Sequence, residues 1–313
     1  YGDAWEGFRR NYWMKYNLRF LLDSSKAFPD VLLEQNAFGL VKNNQESLIK
    51  LAYLSHGDVG KEFGAVKKAD VFLENSTDQI YKILIPETLW NKIQRSRTRE
   101  HLVEGKLGLA IGTNFFSDEE TEYKLLKGID IERWRIRSHR WLKNKSKLNW
   151  EVAKQFLKPK VITQVLVAHI ENPKPHIKIT ACLDEEGIII TNTLMSFDLD
   201  KKIDPKFWLG YLNSVFVNWY AYNFVYARAI RTMHFYDFYI QQIPIPSKAV
   251  ENNKQKDVIL LVSKIQDLAK SEDYSESYEK QDKVREYEHQ IDQKIYELYG
   301  LTEEEIKIVE GSN

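Results

Sequence analysis

The chain of 313 residues has little cysteine and no long hydrophobic run. Cys182 is its one cysteine, which excludes an internal disulfide and is typical of a reducing compartment. Its apolar runs fall far short of the roughly 20 residues that cross a bilayer, and residues 1–10 contain no signal-peptide core. We therefore expect a cytoplasmic protein without a membrane partner. Because residue 1 is not Met, we also expect it to be part of a longer protein.

Sequence patterns of several catalytic and ligand sites are missing too. Gly105, Gly108 and Gly112 lie close together but form neither a Gly-x-Gly-x-x-Gly fingerprint nor a loop ending in Gly-Lys-Ser/Thr. We predict a turn-rich pair of strands there. One cysteine with seven scattered histidines cannot supply a zinc site, and no serine has the flanking glycines of a nucleophile elbow. The sequence thus predicts no catalytic, metal-binding or cofactor-binding residue in this chain.

The chain also has no net charge, with 45 basic and 45 acidic residues. The distribution is uneven, however. Residues 133–160 contain ten Lys/Arg and one acid, a net charge of +9, whereas residues 251–313 contain nine Lys/Arg and sixteen acids, a net charge of −7. Because the local field attracts a polyanion, the basic segment favours a nucleic-acid partner. The 13% aromatic content, with eight Trp, is typical of a large aromatic core.

The first third of the chain is predicted to be strand-rich. Alternating residues predict a strand at 18–22, a turn at 24–26 and further strands at 31–33 and 37–41. We expect this hairpin to pair with a larger sheet, since an isolated hairpin has marginal stability.

The pattern then becomes mixed. Residues 48–54 predict a strand or a short helix, and residues 71–73 and 80–85 predict strands. A helix is predicted over 87–104, because Pro86 is tolerated at a first helical turn.

Beyond these elements, Val/Ile/Thr-rich alternation predicts strands over 161–170, 177–182 and 188–193. Residues 184–187 predict a hairpin turn between the last two strands.

Residues from 258 onward predict a helical tail. Apolar residues recur at helical spacing over 258–268 and again over 284–298, and Gly300 ends the second helix. Thr302 and Glu305 predict a capping box that opens a final short helix. Since the tail is acidic, we interpret it as a brace that packs on the rest of the protein and not as a DNA contact.

The stretch 207–246 is the most distinctive part of the sequence. It predicts an aromatic helix containing Leu212-Asn213-Ser214, then a basic turn, and it ends in Gln242-Ile243-Pro244-Ile245-Pro246. Together with Gly128-Ile129-Asp130-Ile131 and Leu298-Tyr299-Gly300-Leu301-Thr302, it resembles the TaqI-like C-terminal specificity domain. That domain occurs in adenine-specific DNA methyltransferases and type II (IIG-like) restriction-modification enzymes. The resemblance covers residues 85–250 and extends weakly to both ends.

This resemblance implies an α+β fold in which a strand-rich target-recognition domain surrounds an aromatic core helix. Residues 1–45 would be the last strands of a Rossmann-like methyltransferase catalytic domain, residues 46–250 the DNA target-recognition domain and residues 251–313 a helical tail. The parent enzyme would use S-adenosylmethionine, and the partners would be double-stranded DNA and a catalytic domain outside this chain. None of the eight prolines is adjacent to another, so the Asn-Pro-Pro-Tyr motif that grips a flipped adenine is absent.

Candidate DNA-binding residues follow from the basic segment and from the resemblance. Arg133, Arg135 and Arg137 would project from one face of a strand while Trp134 and Ile136 pack on the other, and arginine can bind guanine or phosphate through two hydrogen bonds. Gln164 could pair with adenine, and lysines could contact phosphates. The full set of candidates is Arg133, Arg135, Arg137, Arg140, Lys143, Lys145, Lys160, Gln164, Arg228, Arg231 and His234.

Other interpretations remain open at this point. The arginines could form a solvated edge strand, and Asn213-Ser214 could be a buried pair that fixes the helix against a sheet. The chain could also be a specificity subunit of a multi-subunit restriction system, although that would contain two recognition repeats. A carbohydrate-binding protein that stacks sugars on Trp and Tyr, or an intact enzyme of unknown type, are more distant alternatives.

Overall fold

The computed structural model describes residues 6–13, 15–26, 35–42, 48–55, 58–66, 85–167, 169–226, 228, 232–251 and 254–311. The chain divides into two compact units, one of residues 1–91 with 226–231 and one of residues 92–225 with 232–313. Helices and strands are mixed throughout, which confirms the predicted α+β class. The predicted three-part domain division stays a prediction. No helix in the described ranges is long and apolar enough to cross a membrane.

A four-stranded sheet forms the first unit. Its strands are β1 (Asn17–Lys26), β2 (Asn36–Val41), β3 (Ile49–Ser55) and β4 (Asp58–Val66), arranged in the order β2-β1-β3-β4. β1 pairs antiparallel with β2 and parallel with β3, and β3 pairs antiparallel with β4. A small core of Trp13, Leu18 and Ile49 packs beneath it.

The N-terminal sequence predictions agree with this sheet in part. The strands predicted at 18–22 and 37–41 are confirmed as β1 and β2, and of the two alternatives for 48–54, strand or short helix, the structure shows the strand, β3. The turn at 24–26 is wrong, because β1 continues to Lys26, which pairs with Ser55. The strands predicted at 31–33 and 71–73, and at 80–85 apart from Ile85, lie outside the described residues.

The second unit contains most of the described secondary structure. Its strands are β5 (Val103–Leu107), β6 (Phe116–Ser117), β7 (Lys124–Leu126), β8 (Ile131–Glu132), β9 (Arg135–Ile136), β10 (Arg140–Leu142), β11 (Lys160–Gln164), β12 (Leu166–Val167), β13 (His169–Ile170), β14 (His176–Ile177), β15 (Ala181–Asp184), β16 (Ile189–Ile190), β17 (Leu194–Leu199) and β18 (Met233–His234). The helices after the first unit's sheet are α1 (Glu87–Ser96), α2 (Trp150–Ala153), α3 (Pro205–Asn213), α4 (Val215–Tyr220), α5 (Asp237–Ile240), α6 (Ser247–Glu251), α7 (Lys256–Ala269), α8 (Tyr278–Tyr299) and α9 (Glu303–Glu310).

Two four-stranded sheets organise this unit. One has the order β15-β11-β17-β5 and is antiparallel throughout. The other has the order β16-β7-β10-β6, in which β16 and β7 are parallel. Between them lies a core that includes Leu125, Leu142, Phe156, Ile162 and Ile189. Buried residues on both faces of β11 explain its Val/Ile/Thr composition.

The sequence predicted the presence of several of these strands better than their pairing. The stretch 161–170 is divided into β11, β12 and β13, and β17 was not predicted. Residues 184–187 do form a turn, with Gly187 at φ +76°. The predicted hairpin is nevertheless wrong, because β15 pairs with β11 while β16 pairs with β7 in the other sheet. Helix α1 ends at Ser96, and the predicted helical residues 103–104 begin β5 instead.

The aromatic helix predicted at the centre of the fold is confirmed as α3, α4 and a π-helical turn, Ala221–Val225. Asp204 caps α3, and Ser214 ends α3 and caps α4. Asn213 accepts a hydrogen bond from the Ala181 amide (3.2 Å) and donates one to the Ala181 carbonyl (3.1 Å). The interpretation of Asn213 and Ser214 as a buried pair that fixes the helix to a sheet is therefore confirmed.

The C-terminal helices pack on this aromatic helix, as the brace interpretation predicted. Gly210 of α3 lies so close to α7 that a Cβ there would lie 2.8 Å from Val258. The hydroxyls of Tyr211 and Tyr299 lie 2.8 Å apart and both contact the carbonyl oxygen of Pro244, so that one hydroxyl donates to that carbonyl while the other donates to its neighbouring hydroxyl or to the same oxygen. The capping box of Thr302 and Glu305 is confirmed, and Gly300 ends α8 in the left-handed conformation.

Candidate nucleic-acid interface

The arginine-rich segment 133–137 forms a tight hairpin and not a continuous strand. β8 and β9 pair antiparallel, with Ile131 opposite Ile136 and Glu132 opposite Arg135. Trp134 lies in the connecting turn with φ +77°, which reverses the chain. The prediction that Arg133, Arg135 and Arg137 project from one strand face is therefore wrong, because a change of chain direction breaks the alternation of side chains.

Arg133 turns inward toward the C-terminal helices. Its guanidinium donates to the carbonyl of Asn213 and lies 3.5 Å from a carboxylate oxygen of Glu288 on α8. The indole of Trp134 donates to the same carboxylate at 2.7 Å. Burial lowers the pKa of Arg133, while Glu288 and Asp292 oppose that shift. The Arg133 side chain is only 19% exposed, so it holds the hairpin to α8.

Arg135 has a similar structural role. Its guanidinium bonds Glu132 at 2.9 Å and 3.0 Å, donates to Ser275 at 2.7 Å and lies 5.0 Å from the ring centroid of Tyr274. Arg137, by contrast, is half exposed and donates to the carbonyl of Ile129 at 3.2 Å. Of the three arginines, Arg137 is the one whose position suits a DNA contact.

Lys160 is buried and is removed from the DNA-binding candidates. Its ammonium group pairs with Asp184 and donates to the carbonyls of Phe156 (2.7 Å) and Ile188 (2.8 Å). Burial lowers its pKa, and the Asp184 carboxylate opposes that shift. Asp184 also accepts three backbone amides of the following turn, from residues 186–188. This satisfied network fixes the turn after β15, and a phosphate cannot reach it.

Four other candidates, Gln164, Arg228, Arg231 and His234, lie outside the basic segment 133–160. Gln164 is half-buried and donates to the carbonyl of Gly128 at 2.7 Å, so its amide holds a loop in place. His234 is exposed and stacks on Tyr236 with a centroid distance of 5.1 Å. Arg228 is exposed with φ +58°. Arg231 lies outside the described residues. DNA contact by Arg228, Arg231 and His234 stays a prediction.

The remaining cations lie around the sheet of β6, β7, β10 and β16. Lys124 is directly opposite Trp141 in the β7–β10 pair, and its ammonium group lies 5.9 Å from the indole centroid. Lys127 lies 4.0 Å from the ring of Phe116. Lys145 lies 5.2 Å from the ring of Tyr123 and 5.4 Å from that of Trp150. We call this the basic aromatic surface, which comprises Phe116, Tyr123, Lys124, Lys127, His139, Arg140, Trp141, Lys143, Lys145, Lys147 and Trp150.

Local backbone structure fixes the lysine-rich part of this surface. Asn144 caps a 3₁₀ turn, Lys145–Lys147, by accepting from the amide of Ser146 at 2.9 Å. Asn149 caps α2 in the same way, through the amide of Val152. Lys145 and Lys147 therefore lie in the first of two consecutive turns, each of which is capped by an asparagine side chain. The caps fix the backbone from which the two lysines project.

Ion pairs weaken the field of the basic segment. Within residues 133–160, salt bridges engage eight of the ten cations, namely Arg133, Arg135, Arg137, Arg140, Lys145, Lys154, Lys158 and Lys160. Lys143 and Lys147 are exposed and form no salt bridge with the part of the chain that the structure describes. Glu122 bonds Lys145 at 2.8 Å and raises its pKa. Lys145 therefore keeps its charge at neutral pH, and a phosphate could compete for it.

Sequence reasoning missed Lys124, Lys127 and Phe116 as members of this surface. They precede the basic segment by several residues and reach it through the antiparallel pairing of β7 and β6 with β10. A count of charges along the chain cannot detect that pairing. The one weak signal in the sequence was Lys124-Leu125-Leu126-Lys127, in which a lysine at each end of an apolar pair is consistent with a short strand that has a basic residue at both ends.

This arrangement can bind a polyanion but provides no visible chemistry for a reaction. Lysine ammonium groups bind phosphates as point charges, and the free edges of half-buried aromatic rings can contact bases or sugars. Among the described residues, no group of three or more His, Cys, Asp or Glu could hold a metal ion. Cys182 is buried, and burial raises the pKa of its thiol well above the usual range.

The glycine cluster at 105–112 does not fit S-adenosylmethionine, the cofactor expected of the parent enzyme. The glycines at 105–112 offered the nearest match to a nucleotide loop, but Gly105 and Gly108 serve strand packing and Gly112 precedes the 3₁₀ turn Thr113–Phe115. A Cβ at Gly108 would lie 2.3 Å from the carbonyl oxygen of Thr191, and one at Gly105 would lie 2.8 Å from Met195. Gly108 is therefore required for the approach of two backbones, not for a ligand.

Comparison with known proteins supports the resemblance stated from the sequence. The family model of the TaqI-like C-terminal specificity domain matches residues 123–245, and over this segment the resemblance is confirmed. The match covers less than half of the chain and includes most of the basic aromatic surface. No curated protein matches the chain.

Solved structures from restriction-modification systems show distant similarity. The type IIG restriction endonuclease BpuSI is 12% identical, with a TM-score of 0.38, over 96% of this chain and 46% of that one. A structure of a type I R-M system is 9% identical, and the HsdS subunit from Thermoanaerobacter tengcongensis is 10% identical, with TM-scores of 0.35 and 0.31. Each of these two matches covers 68% of this chain and 50% of that one. The chain thus spans about half the length of the structures it matches.

Proposed function

We propose that this chain is the DNA target-recognition part of an adenine-N6 DNA methyltransferase or restriction-modification enzyme. Its role is to bind duplex DNA at a specific sequence and to position that duplex for a catalytic domain outside this chain. The parent enzyme would take its methyl group from S-adenosylmethionine.

One observation carries the proposal. The segment that matches the TaqI-like C-terminal specificity domain, residues 123–245, contains a surface where the exposed Lys145 lies beside the half-buried rings of Tyr123 and Trp150, and Lys124 lies beside Trp141. Phosphates and bases are the two ligand groups that such a surface suits, since ammonium groups attract phosphates and aromatic rings stack on bases. Sugar-binding sites place acids and amides beside their aromatic rings, so the lysines favour DNA over a carbohydrate.

A salt titration of duplex binding tests the proposal. Replacement of Lys143, Lys145 and Lys147 by Ala should weaken binding to a mixed-sequence DNA duplex roughly tenfold or more at low salt. The slope of log K against log salt should fall by about 1 for each phosphate that the variant no longer neutralises, so by about 2–3 in total. Fluorescence anisotropy over a series of salt concentrations measures both quantities.

The acidic tail supplies a matched control. Replacement of Lys264, Lys283 and Lys307 by Ala removes the same number of exposed positive charges from α7, α8 and α9. This control should bind DNA with the wild-type slope. Equal slopes for both triple variants, or binding by the wild-type chain that does not change with salt, would count against the proposed function.

A further inference from the structure

Ile129 is an exposed aliphatic residue at the tip of a rigid loop. It is 67% exposed, which is unusual for isoleucine. It occupies the middle of a 3₁₀ turn, Gly128–Asp130, between β7 and β8. A polar residue at this position would avoid the cost of hydrating an apolar side chain.

Hydrogen bonds hold the residues on both sides of Ile129. Gly128 donates its amide to the hydroxyl of Thr193 at 2.8 Å and accepts the amide of Gln164 at its carbonyl at 2.7 Å. Asp130 is 2% exposed and accepts from the amide of Lys127 at 2.8 Å and from the hydroxyl of Ser138 at 2.7 Å.

The loop therefore keeps its shape without any contribution from the Ile129 side chain. Such a tip can press into a partner at little cost in conformational entropy, because its backbone is already ordered.

Two cations lie near this tip, one of which, Arg137, also pairs with the partly exposed Glu132. Arg137 donates to the carbonyl of Ile129 at 3.2 Å and is half exposed. Lys127 precedes the loop, and its ammonium group lies over Phe116 of the basic aromatic surface. Ile129 thus lies at the border of the surface proposed to bind DNA, with Arg137 bonded to its carbonyl and Lys127 two residues before it in the chain. The charge complementarity indicates a polyanion as the partner that covers it.

We propose that Ile129 is a wedge that inserts between base pairs of the bound duplex and separates their stacking. The inference rests on the proposed function and deepens it. Insertion of this kind requires an apolar side chain on an ordered backbone, with cations nearby. The apolar group replaces base-stacking contacts, and the cations bind the flanking phosphates. Insertion costs free energy for unstacking, and this cost is smallest where the duplex is already weakened.

Two duplexes of the same sequence, one fully paired and one with a single central mismatch, test the wedge. The wild-type chain should bind the mismatched duplex about tenfold more tightly, because less unstacking is needed. The variant Ile129→Ala should lose most of this preference, chiefly through weaker binding to the mismatched duplex, into which the wild-type side chain inserts at the lowest unstacking cost. Leu260→Ala, which truncates a similarly exposed aliphatic residue on α7, is the matched control and should keep the full preference.

The possible outcomes separate the two proposals. A preference that is equal in wild type, Ile129→Ala and Leu260→Ala, or that is absent from the wild type, overturns the wedge while leaving DNA binding intact. Failure of the wild-type chain to bind either duplex overturns the proposed function together with the wedge. Because Ile129 is exposed, all three proteins should have the same melting temperature, which thermal unfolding checks.

Discussion

Arg133 is a cation whose surroundings assign it to the fold and not to a ligand. Its guanidinium donates to the carbonyl of Asn213 and lies 3.5 Å from a carboxylate oxygen of Glu288. It also interacts with the carboxyl group of Asp292 and lies 5.6 Å from the ring centroid of Trp134. Arg133 is the cation near both carboxyl groups, of which Asp292 is buried and Glu288 is 26% exposed. Its removal would leave those carboxyl groups without a cation, which is the costly form of a broken buried ion pair.

The first residue-scale prediction compares Arg133 with Arg137. Arg133→Ala should lower the free energy of unfolding by about 2–3 kcal/mol, somewhat less than for a fully buried pair because the side chain keeps some exposure. Arg137→Ala should change stability by less than about 0.5 kcal/mol, since its ion pair with Glu132 is exposed. Denaturant unfolding measures both changes.

Equal stability of the two variants would contradict the structural role of Arg133. Arg137→Ala should instead weaken duplex binding, because Arg137 is on the side of the hairpin next to Ile129. A loss of DNA binding by a triple alanine variant at positions 133, 135 and 137 would therefore be ambiguous, since two of the three side chains support the fold.

The carboxyl group of Asp292 joins helix α8 to helix α4, and the fold raises its pKa. Asp292 of α8 accepts the amide of Val215, the first residue of α4, at 2.7 Å. The side chain is buried, and burial raises its pKa from 3.8 to about 7, although the Val215 amide and Arg133 oppose the shift. Neutral Asp292 is thus the form that the folded protein favours below pH 7.

The sign of the resulting pH dependence follows from proton counts. Between pH 3.8 and about 7 the folded chain holds a proton on Asp292 that the unfolded chain has released. Stability from this group is therefore greatest at low pH and falls as pH rises through that window. Asp292→Asn should remove this fall and keep the hydrogen bond to Val215, since an amide oxygen also accepts.

Unfolding free energies of wild type and Asp292→Asn at several pH values test this link. At pH 8 the variant should be more stable by on the order of 2–4 kcal/mol, and at pH 4 the two proteins should be nearly equal. Asp282→Asn, an exposed change on the same helix, should show no such pH-dependent difference. A constant difference between Asp292→Asn and wild type over the whole range would rule out the raised pKa.

The elements that could be predicted from sequence are those defined by local signals. Apolar periodicity and capping residues identified α7, α8 and α9, and the boundaries at Gly300 and Thr302 were correct. The short strands were harder, because their partners are distant in the chain. β16 pairs with β7 over a separation of more than sixty residues, and a local turn at Asp184–Gly187 predicted a hairpin in its place.

At the scale of the whole molecule, opposite charges that are separated in the sequence meet in the fold. The basic segment and the acidic tail are joined by Arg133 with Glu288. Lys143 and Lys147 remain exposed, and Lys124 and Lys127 join them through strand pairing. The structure therefore changes which side chains of this region are accessible to a ligand, and DNA binding by the region stays a prediction. Deciding which cations are engaged inside the protein requires the three-dimensional arrangement.

Selection from a pool of duplexes with a randomised core tests the central claim of target recognition most directly. The wild-type chain should enrich a short sequence motif over successive rounds at moderate salt, because contacts to base edges and base stacking depend on sequence while phosphate contacts do not. Sequencing of the bound fraction measures the enrichment. A bound fraction with the base composition of the starting pool would contradict the account, since it would mean that the basic aromatic surface binds DNA without recognising a target.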